Sequence, residues 1–312
     1  MRKNFLLSLV VPVFNESEVV SLFNKKVRSA LSGNLSIDLE IIFVNDGSND
    51  ETLTSLITLQ ADFPDIKIID LTRNFGKEAA LTAGLKHVTG QMIVPIDADL
   101  QDPPELILDM IDKWQDGYEV VLARRADRSS DHFLKRLTAA CFYRIAGDHI
   151  PKNVGDYRLM DKAVVEALNL LPENQRFMKG LFAWLGFKTC TIDYTRKVRE
   201  KGDSKFNFWK LWNLALEGIT SFSTMPLKIW TYIGLFISFT SFSFGTYMLF
   251  STLVNGNDVP GYTSTLIVIL FMGGVQLIGI GVIGEYLGRT YLESKNRPPY
   301  LIRKIYITGL GE

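Results

Sequence analysis

Short apolar runs alternate with segments of helical periodicity over the first 125 residues of the chain. Five runs have the composition of buried strands, at residues 5–14, 39–44, 66–71, 91–96 and 118–123. The segments between them repeat apolar side chains three or four positions apart, at residues 16–31, 50–61, 77–88 and 104–116. Repeated strand and helix units of this kind predict a mostly parallel sheet that is covered by helices on both faces.

Polar residues follow all five predicted strands. The strands end at Asn15-Glu16, at Asn45-Asp46-Gly47-Ser48, at Arg73-Asn74, at Asp97-Ala98-Asp99 and at Arg124-Arg125. The carboxyl ends of parallel strands meet at one edge of a sheet, and ligands bind in the crevice beyond that edge. The sequence therefore predicts a binding site there.

The stretch after the fourth strand has the side chains of a cation site. Asp97 and Asp99 are two positions apart, and Gln101 follows two positions later. In an extended chain these side chains point the same way, and their oxygens suit a hard cation such as Mg²⁺ or Mn²⁺ that carries a diphosphate. Asp46 is expected where the base or ribose of a nucleotide would lie, whereas Asp50 has the position of a helix cap.

The remaining carboxylates of the same stretch have a structural explanation. Asp102 is expected to cap a helix that Pro103 and Pro104 begin. Glu105 would then lie in the first turn, where negative charge suits the helix dipole.

The region from residue 127 to residue 205 is less regular. It contains a basic amphipathic segment at 134–146, a helical pattern that starts at Asp161 and a strand-like run at 188–198. The segment 205–224 then places phenylalanine and tryptophan side chains at helical spacing, with lysines nearby. This composition is typical of a helix in a membrane interface, and a core helix is the alternative.

Two long apolar stretches follow. Residues 229–254 and 259–284 contain no charged side chain, and each is long enough to cross a hydrocarbon core of roughly 30 Å as a helix. The loop between them has no Lys or Arg, whereas Lys228 precedes the first stretch and five basic residues follow the second. The positive-inside rule then places both ends in the cytoplasm. Gly284 and Gly288 favour close helix packing, including packing between subunits.

The composition excludes several other classes of protein. The 312 residues have a formal net charge of zero, which argues against a general nucleic-acid binder. Cys141 and Cys190 are isolated and the three histidines are scattered, so we expect neither a disulfide framework nor a zinc site. The apolar run at 5–13 is short and contains Pro12, so we expect no signal peptide.

Six motifs together resemble a known family. They are, in chain order, VVPVFNE, NDGSNDET, TRNFGKEAAL, DADLQDPPE, GDYRLM and GDSKF. Their combination resembles the inverting GT-A glycosyltransferases that use a polyprenyl phosphate as acceptor. With the two apolar stretches, the chain resembles the bactoprenol (undecaprenyl-phosphate) glucosyltransferases of O-antigen modification.

The resemblance implies an α/β fold of the GT-A type, a Rossmann-like mixed and mostly parallel sheet, followed by a C-terminal hairpin of two transmembrane helices. The expected parts are a cytoplasmic glycosyltransferase domain at 1–204, an amphipathic interface helix at 205–226, two transmembrane helices at 227–290 and a cytoplasmic tail at 291–312.

The resemblance also implies roles for residues on the donor side. The uridine of the sugar nucleotide would be held by Pro12, Asn15, Glu16 and Asp46. Metal and diphosphate would be bound by Asp97, Asp99 and Gln101, with Asp99 counted among the catalytic residues. Lys77, at a predicted helix start, would lie near the donor.

On the acceptor side, the resemblance places Asp156 beside the acceptor as a catalytic residue. A lipid monophosphate has a second pKa of about 6, so its oxygen is already largely nucleophilic at neutral pH. Asp156 therefore has three open roles: orienting the site through Arg158, acting as a base, or forming a structural salt bridge. The segment that would reach back over donor and lipid phosphate contains Arg199, Ser204 and the catalytic candidate Lys205.

Three arginines after the fifth strand are candidates for binding the acceptor phosphate. Arg124, Arg125 and Arg128 have guanidinium groups that match phosphate oxygens. A basic loop that faces anionic lipid headgroups is the alternative.

The sequence thus predicts an enzyme of the bacterial inner membrane. It would transfer glucose from UDP-glucose to undecaprenyl phosphate on the cytoplasmic face, with Mg²⁺ or Mn²⁺, to give a lipid-linked sugar for O-antigen or cell-envelope glycosylation. Transfer of another sugar, such as mannose or an aminoarabinose derivative, is the alternative, and a non-catalytic membrane scaffold is a second one. A homo-oligomer, with a tetramer as one candidate, and no nucleic-acid partner are expected.

Overall fold

The computed structural model describes residues 5–32, 37–125, 154–173, 178–195, 225–255 and 261–308. The chain divides into two compact units. One comprises residues 1–211 and 297–312, and the other comprises residues 212–296. The predicted basic segment at 134–146 lies outside the described residues, and so does nearly all of the predicted interface helix at 205–226.

The first unit is built on one mixed sheet. Its eight described strands are β1 (Phe5–Val13), β2 (Ile37–Asn45), β3 (Ile66–Leu71), β4 (Met92–Pro95), β5 (Val120–Arg125), β6 (Val154–Asp161), β7 (Thr189–Tyr194) and β8 (Ile302–Tyr306). They lie in the order β7-β5-β6-β4-β1-β2-β3-β8. β1 is parallel to β2 and β4, β2 to β3, and β5 to β7, whereas β6 is antiparallel to both of its neighbours and β8 is antiparallel to β3. The predicted α/β class and mixed, mostly parallel sheet are confirmed.

The described helices of both units are α1 (Val20–Leu31), α2 (Thr52–Asp62), α3 (Lys77–Leu85), α4 (Leu106–Gln115), α5 (Lys162–Leu170), α6 (Met178–Trp184), α7 (Met225–Asn255) and α8 (Tyr262–Ser294). The first predicted helix began too early, because a turn in which the Val19 amide donates to the Glu16 carbonyl precedes α1. The helix predicted from Asp161 is α5, and the Asp161 carboxylate caps it by accepting from the Ala163 amide at 2.9 Å.

Close packing fixes α3 on the sheet. Every residue of β1 from Leu7 to Val11 is fully buried, because helices cover both faces of this central strand. A Cβ added at Gly84 of α3 would lie 2.3 Å from Cγ1 of Val10, so only glycine lets the helix backbone approach β1 this closely. The start of α3, at Lys77, is thereby positioned over the carboxyl end of the sheet.

Two strands were not predicted as such. β6 falls in the region that the sequence pattern left irregular, and it runs against β4 and β5. Its amino end, with Gly155 and Asp156, therefore lies at the edge where its neighbours end. β8 falls in the predicted tail at 291–312, and it pairs with β3 at the far edge of the sheet. Its pairing is supported by a hydrogen bond of 3.0 Å from the Thr72 amide to the Leu301 carbonyl.

The second unit contains the helices α7 and α8. Each has an apolar segment long enough to cross a membrane, Leu227–Met248 and Phe271–Ser294. Large side chains such as Phe236 and Phe239 are more than 70% exposed, which excludes a buried core hairpin within the described chain. The second helix ends at Ser294, ten residues beyond the apolar stretch that ends at Gly284 and four beyond the predicted boundary at residue 290.

A buried carboxylate joins three strands and a loop at the amino end of the sheet. Glu40 of β2 is 5% exposed and accepts hydrogen bonds from the Ser8 hydroxyl, from Lys67 Nζ at 2.5 Å, and from the Thr89 amide and hydroxyl at 3.0 and 2.8 Å. Burial alone would raise the pKa of Glu40, but these bonds outweigh it and lower the pKa below its ordinary value.

Replacement of Glu40 tests this cluster. Because the pKa of Glu40 is lowered on folding, its carboxylate stabilises the fold above pH 4.5, and that stabilisation is lost as the pH falls through the folded-state pKa. We expect Glu40→Gln to reduce the free energy of unfolding by roughly 1–3 kcal/mol at neutral pH. Thermal unfolding of the full chain in detergent measures this, with the exposed Asp38→Asn on the same strand as control. Equal melting temperatures for the two variants would contradict the assignment.

Candidate active site

The sheet opens at the carboxyl end of β1. β4 pairs with β1 only from Leu7 to Val10, whereas β2 continues along β1 as far as Val13. The last three residues of β1 therefore lie beyond the end of β4. Strand order reverses at β1, since β2 follows on one side and β4 lies on the other. This is the position at which open α/β sheets bind ligands.

An ammonium group joins two carboxylates at this opening. Nζ of Lys77 lies 2.7 Å from Oδ1 and 2.9 Å from Oδ2 of Asp97, and 2.9 Å from Oδ2 of Asp156. Burial alone would lower the pKa of Lys77, but the two carboxylates outweigh burial and raise the pKa above its ordinary value. The predicted donor-side residues Lys77 and Asp97 thus meet the predicted acceptor-side residue Asp156 in one cluster.

The chain turns directly after Asp97. The expected extended conformation of Asp97 to Gln101 is wrong, because Ala98 and Asp99 form a turn and Leu100 adopts a left-handed conformation with φ of 59°. Oδ1 of Asp99 accepts a hydrogen bond from the Gln101 amide at 3.1 Å, which bends the chain. Ala98 is buried in the core, whereas Asp97 and Asp99 on either side of it are partly exposed. Both carboxylates therefore remain accessible.

Asp46 holds the loop that leads into α3. Its two carboxylate oxygens accept hydrogen bonds from the amides of Phe75 and Gly76, at 2.7 and 2.9 Å. Burial outweighs these bonds and raises the pKa of Asp46. The predicted nucleotide-binding residue thus positions the segment just before Lys77.

The loops after β1 and β2 are bonded to each other. The Asn15 amide donates to the Ser48 hydroxyl at 3.0 Å, and Oδ1 of Asn15 accepts from the Asn49 amide at 2.9 Å. The Glu16 amide donates to the Thr52 hydroxyl at 2.9 Å. Asp50 accepts a hydrogen bond of 3.0 Å from the amide of Thr52, the first residue of α2, but the residue at the cap position of that helix is Glu51 and not Asp50 as predicted. Pro12, Asn15, Glu16 and Asp46, which the sequence assigned to the uridine, therefore lie on two joined strand ends.

A buried arginine lies behind Asp156. Arg158 is 4% exposed, donates from Nη2 to the Gly155 carbonyl at 2.7 Å, and stacks on the Phe182 ring at 4.0 Å. Burial lowers the pKa of Arg158 to about 10, although the charges of Asp156 and Glu78 oppose this shift. The group still carries a positive charge at neutral pH next to Asp156.

Of the three arginines predicted to bind the acceptor phosphate, the two that the structure describes have different partners. Arg124 forms a two-point pair with Asp193 of β7, at 2.6 and 2.8 Å. Arg125 hydrogen-bonds Tyr194, and its Nε is buried without a hydrogen-bond partner among the described residues. Such a donor is suited to an anion. Four further site candidates, Arg128, Arg199, Ser204 and Lys205, lie outside the described residues.

Asp102 has a different role from the predicted one. α4 begins at Leu106, beyond Pro103 and Pro104, and Asp102 accepts a hydrogen bond of 2.5 Å from the Tyr194 hydroxyl. Burial and this bond raise the pKa of Tyr194 to about 12. The expected helix cap is therefore wrong, and Asp102 joins the carboxyl ends of β4 and β7 instead. Sequence reasoning missed Tyr194, because its partner lies far away in the chain.

The residues after β4 fit a hard cation that arrives with phosphate. Within the described parts of the chain, no three His, Cys, Asp or Glu side chains form a group that could hold a metal ion. Mg²⁺ characteristically takes one or two carboxylates from the protein and further oxygens from substrate phosphates. Asp97 and Asp99, with the Gln101 side chain, match that donor set.

Comparison with known proteins gives two family matches. Residues 8–168 match the model of glycosyl transferase family 2, and residues 225–290 match that of the GtrB C-terminal hairpin. The chain is 54% identical over 303 residues to a prophage bactoprenol glucosyl transferase homolog of Escherichia coli, covering 96% of this chain and 99% of that protein. It is 55% identical over 302 residues to a prophage-derived bactoprenol glucosyl transferase of Shigella flexneri, covering 96% and 97%.

Gly47 provides a test of the site's framework. It has φ of 65°, and a Cβ there would lie 2.3 Å from the backbone carbon of Arg73. Gly117 also has positive φ, at 87°, but its nearest neighbour would be Lys188 Nζ at 4.0 Å. We expect Gly47→Ala to lower the free energy of unfolding by roughly 1–3 kcal/mol more than Gly117→Ala does. Both substitutions strain a backbone with positive φ, but only Gly47→Ala also pushes the loop after β2 away from the loop after β3. Thermal unfolding in detergent measures both, and equal losses would contradict the proposed close approach.

Proposed function

The chain belongs to glycosyl transferase family 2, as its motifs predicted, and from this membership we propose that it transfers glucose from UDP-glucose to undecaprenyl phosphate. The observation that carries the proposal is the cluster of Lys77, Asp97 and Asp156 at the opening of the sheet, in a chain that also has two membrane-length apolar helices. The cluster joins residues expected on the donor side to one expected on the acceptor side. The helices supply the attachment to a membrane that a lipid acceptor requires.

The nucleotide would lie over the joined ends of β1 and β2. Pro12, Asn15, Glu16 and Asp46 would hold the uridine there, and the cation would be held by Asp97, Asp99 and Gln101. A bound Mg²⁺ or Mn²⁺ supplies neutralising charge for a leaving diphosphate. The cation and the UDP identity are proposals that rest on this donor set and on the family.

The acceptor phosphate would approach from the β5 and β6 side. The buried Nε of Arg125 is an available donor for its oxygens. A phosphate oxygen would attack the anomeric carbon of glucose as the bond from that carbon to the diphosphate breaks, which inverts its configuration. The nucleophile is already ionised at neutral pH, so we propose that Asp156 orients the site and does not need to take a proton.

Several parts of this proposal lie outside the described residues. Arg128 is proposed to contribute to the phosphate site. Arg199, Ser204 and Lys205 are proposed to reach over the donor and the lipid phosphate, and residues 205–226 to lie in the membrane interface. Their support is the sequence alone.

The pairing of β8 supports a hairpin topology in which both ends face the cytoplasm. β8 follows α7 and α8 in the chain and pairs with β3, which precedes them. Both ends of the hairpin therefore connect to the same folded unit, which requires the chain to return to the side from which it left. The basic residues that flank the hairpin favour the cytoplasmic side of the bacterial inner membrane. A homo-oligomer is also proposed, from the small residues along α8.

The donor sugar is inferred from the relatives and not from the residues of the site. Residues that bind nucleotide and cation do not contact the hydroxyls of the sugar, so mannose or aminoarabinose derivatives are alternative donors. Glucose is favoured because the relatives compared above are named glucosyl transferases.

A donor panel with a carboxylate variant tests the function. Purified full chain is incubated with undecaprenyl phosphate and labelled UDP- or GDP-sugars, and the lipid-linked product is counted. We expect product from UDP-glucose, its loss on chelation, and loss of at least about a hundredfold in turnover for Asp99→Asn, because a charged ligand of the cation is removed. Asp112→Asn, an exposed carboxylate on α4, is the control. Absence of lipid-linked product from every donor would exclude the proposed function, and transfer that resists chelation would exclude the cation.

A further inference from the structure

We propose that Lys77 is a built-in counter-cation of the donor site, which holds Asp97 until the donor's metal ion displaces it. The proposal rests on the proposed function in one respect, that the cation carrying the donor diphosphate binds Asp97. It adds a competition between two cations for the Asp97 carboxylate, in which Lys77 keeps its contact with Asp156 and exchanges its contact with Asp97 for one with the arriving diphosphate.

The hydrogen-bond geometry carries the proposal. A lysine ammonium has three donors, and three carboxylate oxygens lie within 2.9 Å of Lys77 Nζ. Asp97 supplies two of the three oxygens, so both of its carboxylate oxygens contact the ammonium. A divalent cation that binds either oxygen of Asp97 therefore meets an oxygen that already accepts from Lys77, and the two positive charges compete for it.

The position of Lys77 in its helix also supports the proposal. Lys77 is the first residue of α3, where the helix dipole disfavours a positive charge. The ammonium is therefore held there by Asp97 and Asp156, and not by the helix. The same helix end favours an anion such as a diphosphate, which would give the released ammonium a new partner.

The surroundings allow the exchange without unfolding. The Lys77 side chain is 40% exposed, so it can turn away from Asp97 without displacing core residues. Asp156 stays in place because it belongs to β6, where the buried Arg158 lies beside it. Lys77 can therefore keep its contact with Asp156 while Asp97 turns to the metal.

This arrangement makes the binding of metal and nucleotide mutually dependent. Metal alone must displace an ammonium that then has only one carboxylate partner left. When the metal arrives with a nucleoside diphosphate, the phosphate oxygens compensate the ammonium. Each ligand therefore strengthens binding of the other by the same factor.

The test measures Mn²⁺ binding to the detergent-solubilised full chain in the absence of nucleotide. We expect Lys77→Met, and the second neutral variant Lys77→Gln, to bind Mn²⁺ about tenfold more tightly than the unmodified chain, because a competing positive charge in a partly exposed site is removed. Lys77→Arg keeps the charge and should bind Mn²⁺ as the unmodified chain does. UDP should then raise Mn²⁺ affinity less in the neutral variants than in the unmodified chain.

Two controls make the outcome specific. Asp97→Asn should abolish Mn²⁺ binding both in the unmodified chain and in the neutral Lys77 variants. Lys113 is an exposed lysine on α4, and Lys113→Met should leave Mn²⁺ binding unchanged. Unchanged or weaker Mn²⁺ binding by both neutral variants, or no binding by any protein, would overturn the proposal.

The proposed function is judged separately by glucose transfer from the unmodified chain. If that chain transfers glucose while the neutral variants bind Mn²⁺ no more tightly, the inference about Lys77 fails alone. If it transfers no sugar while the neutral variants bind Mn²⁺ more tightly, the proposed function fails alone.

Discussion

The contact of one ammonium with two carboxylates depends on the antiparallel insertion of β6 between β4 and β5. Asp97 follows the carboxyl end of β4, and Asp156 lies near the amino end of β6. Only a strand that runs against its neighbours can bring its amino end to the edge where they finish. Lys77 then meets both because Gly84 lets α3 lie close on β1 and Asp46 fixes the loop before the helix. The site thus depends on the direction of β6, on the close packing of α3 against β1 and on the buried carboxylate of Asp46.

The segment that follows the second apolar helix also belongs to the sheet. β8 returns the chain to β3, and Arg303 of β8 donates to the Thr72 carbonyl at 2.8 Å and contacts the buried Asp70 at 3.5 Å. Asp70 also accepts a hydrogen bond of 2.7 Å from Asn45, the last residue of β2. The segment after the hairpin is therefore bonded to the strand end that precedes Asp46. This connection returns the chain to the sheet after the two apolar helices, so that β8 covers the edge that β3 would otherwise expose.

Local patterns in the sequence predicted much of this fold, and long-range pairing accounts for what they missed. The runs that became β1 to β5 are apolar because both faces of the sheet are covered, and a run of that kind can be recognised without a partner. β6 carries Asp156, Arg158 and Asp161, and β8 carries Arg303 and Lys304, so neither has that apolar pattern. Their pairing depends on residues that are distant in the chain. The direction of β6 in particular has no local signal.

The same distinction applies to the site residues. Motifs identified Asp97, Asp99, Lys77 and Asp156, because their residue types at strand ends indicate the chemistry. They gave no sign of the pair between Arg124 and Asp193, of the bond between Tyr194 and Asp102, or of the turn at Asp99. These features arise from where β7 lies beside β5 and from a left-handed residue at Leu100. The chemistry was therefore predictable from residue types, whereas the partners of each group were not.

The central claim is a single displacement between a donor at Asp97 and Asp99 and a lipid phosphate beside Asp156. The anomeric configuration of the lipid-linked sugar tests it most directly, and NMR of the product made from UDP-α-glucose measures that configuration. One displacement predicts a β-linked glucosyl phosphate lipid as the product. An α-linked product would have retained the configuration of the donor, which a single in-line displacement cannot do, and would contradict the account.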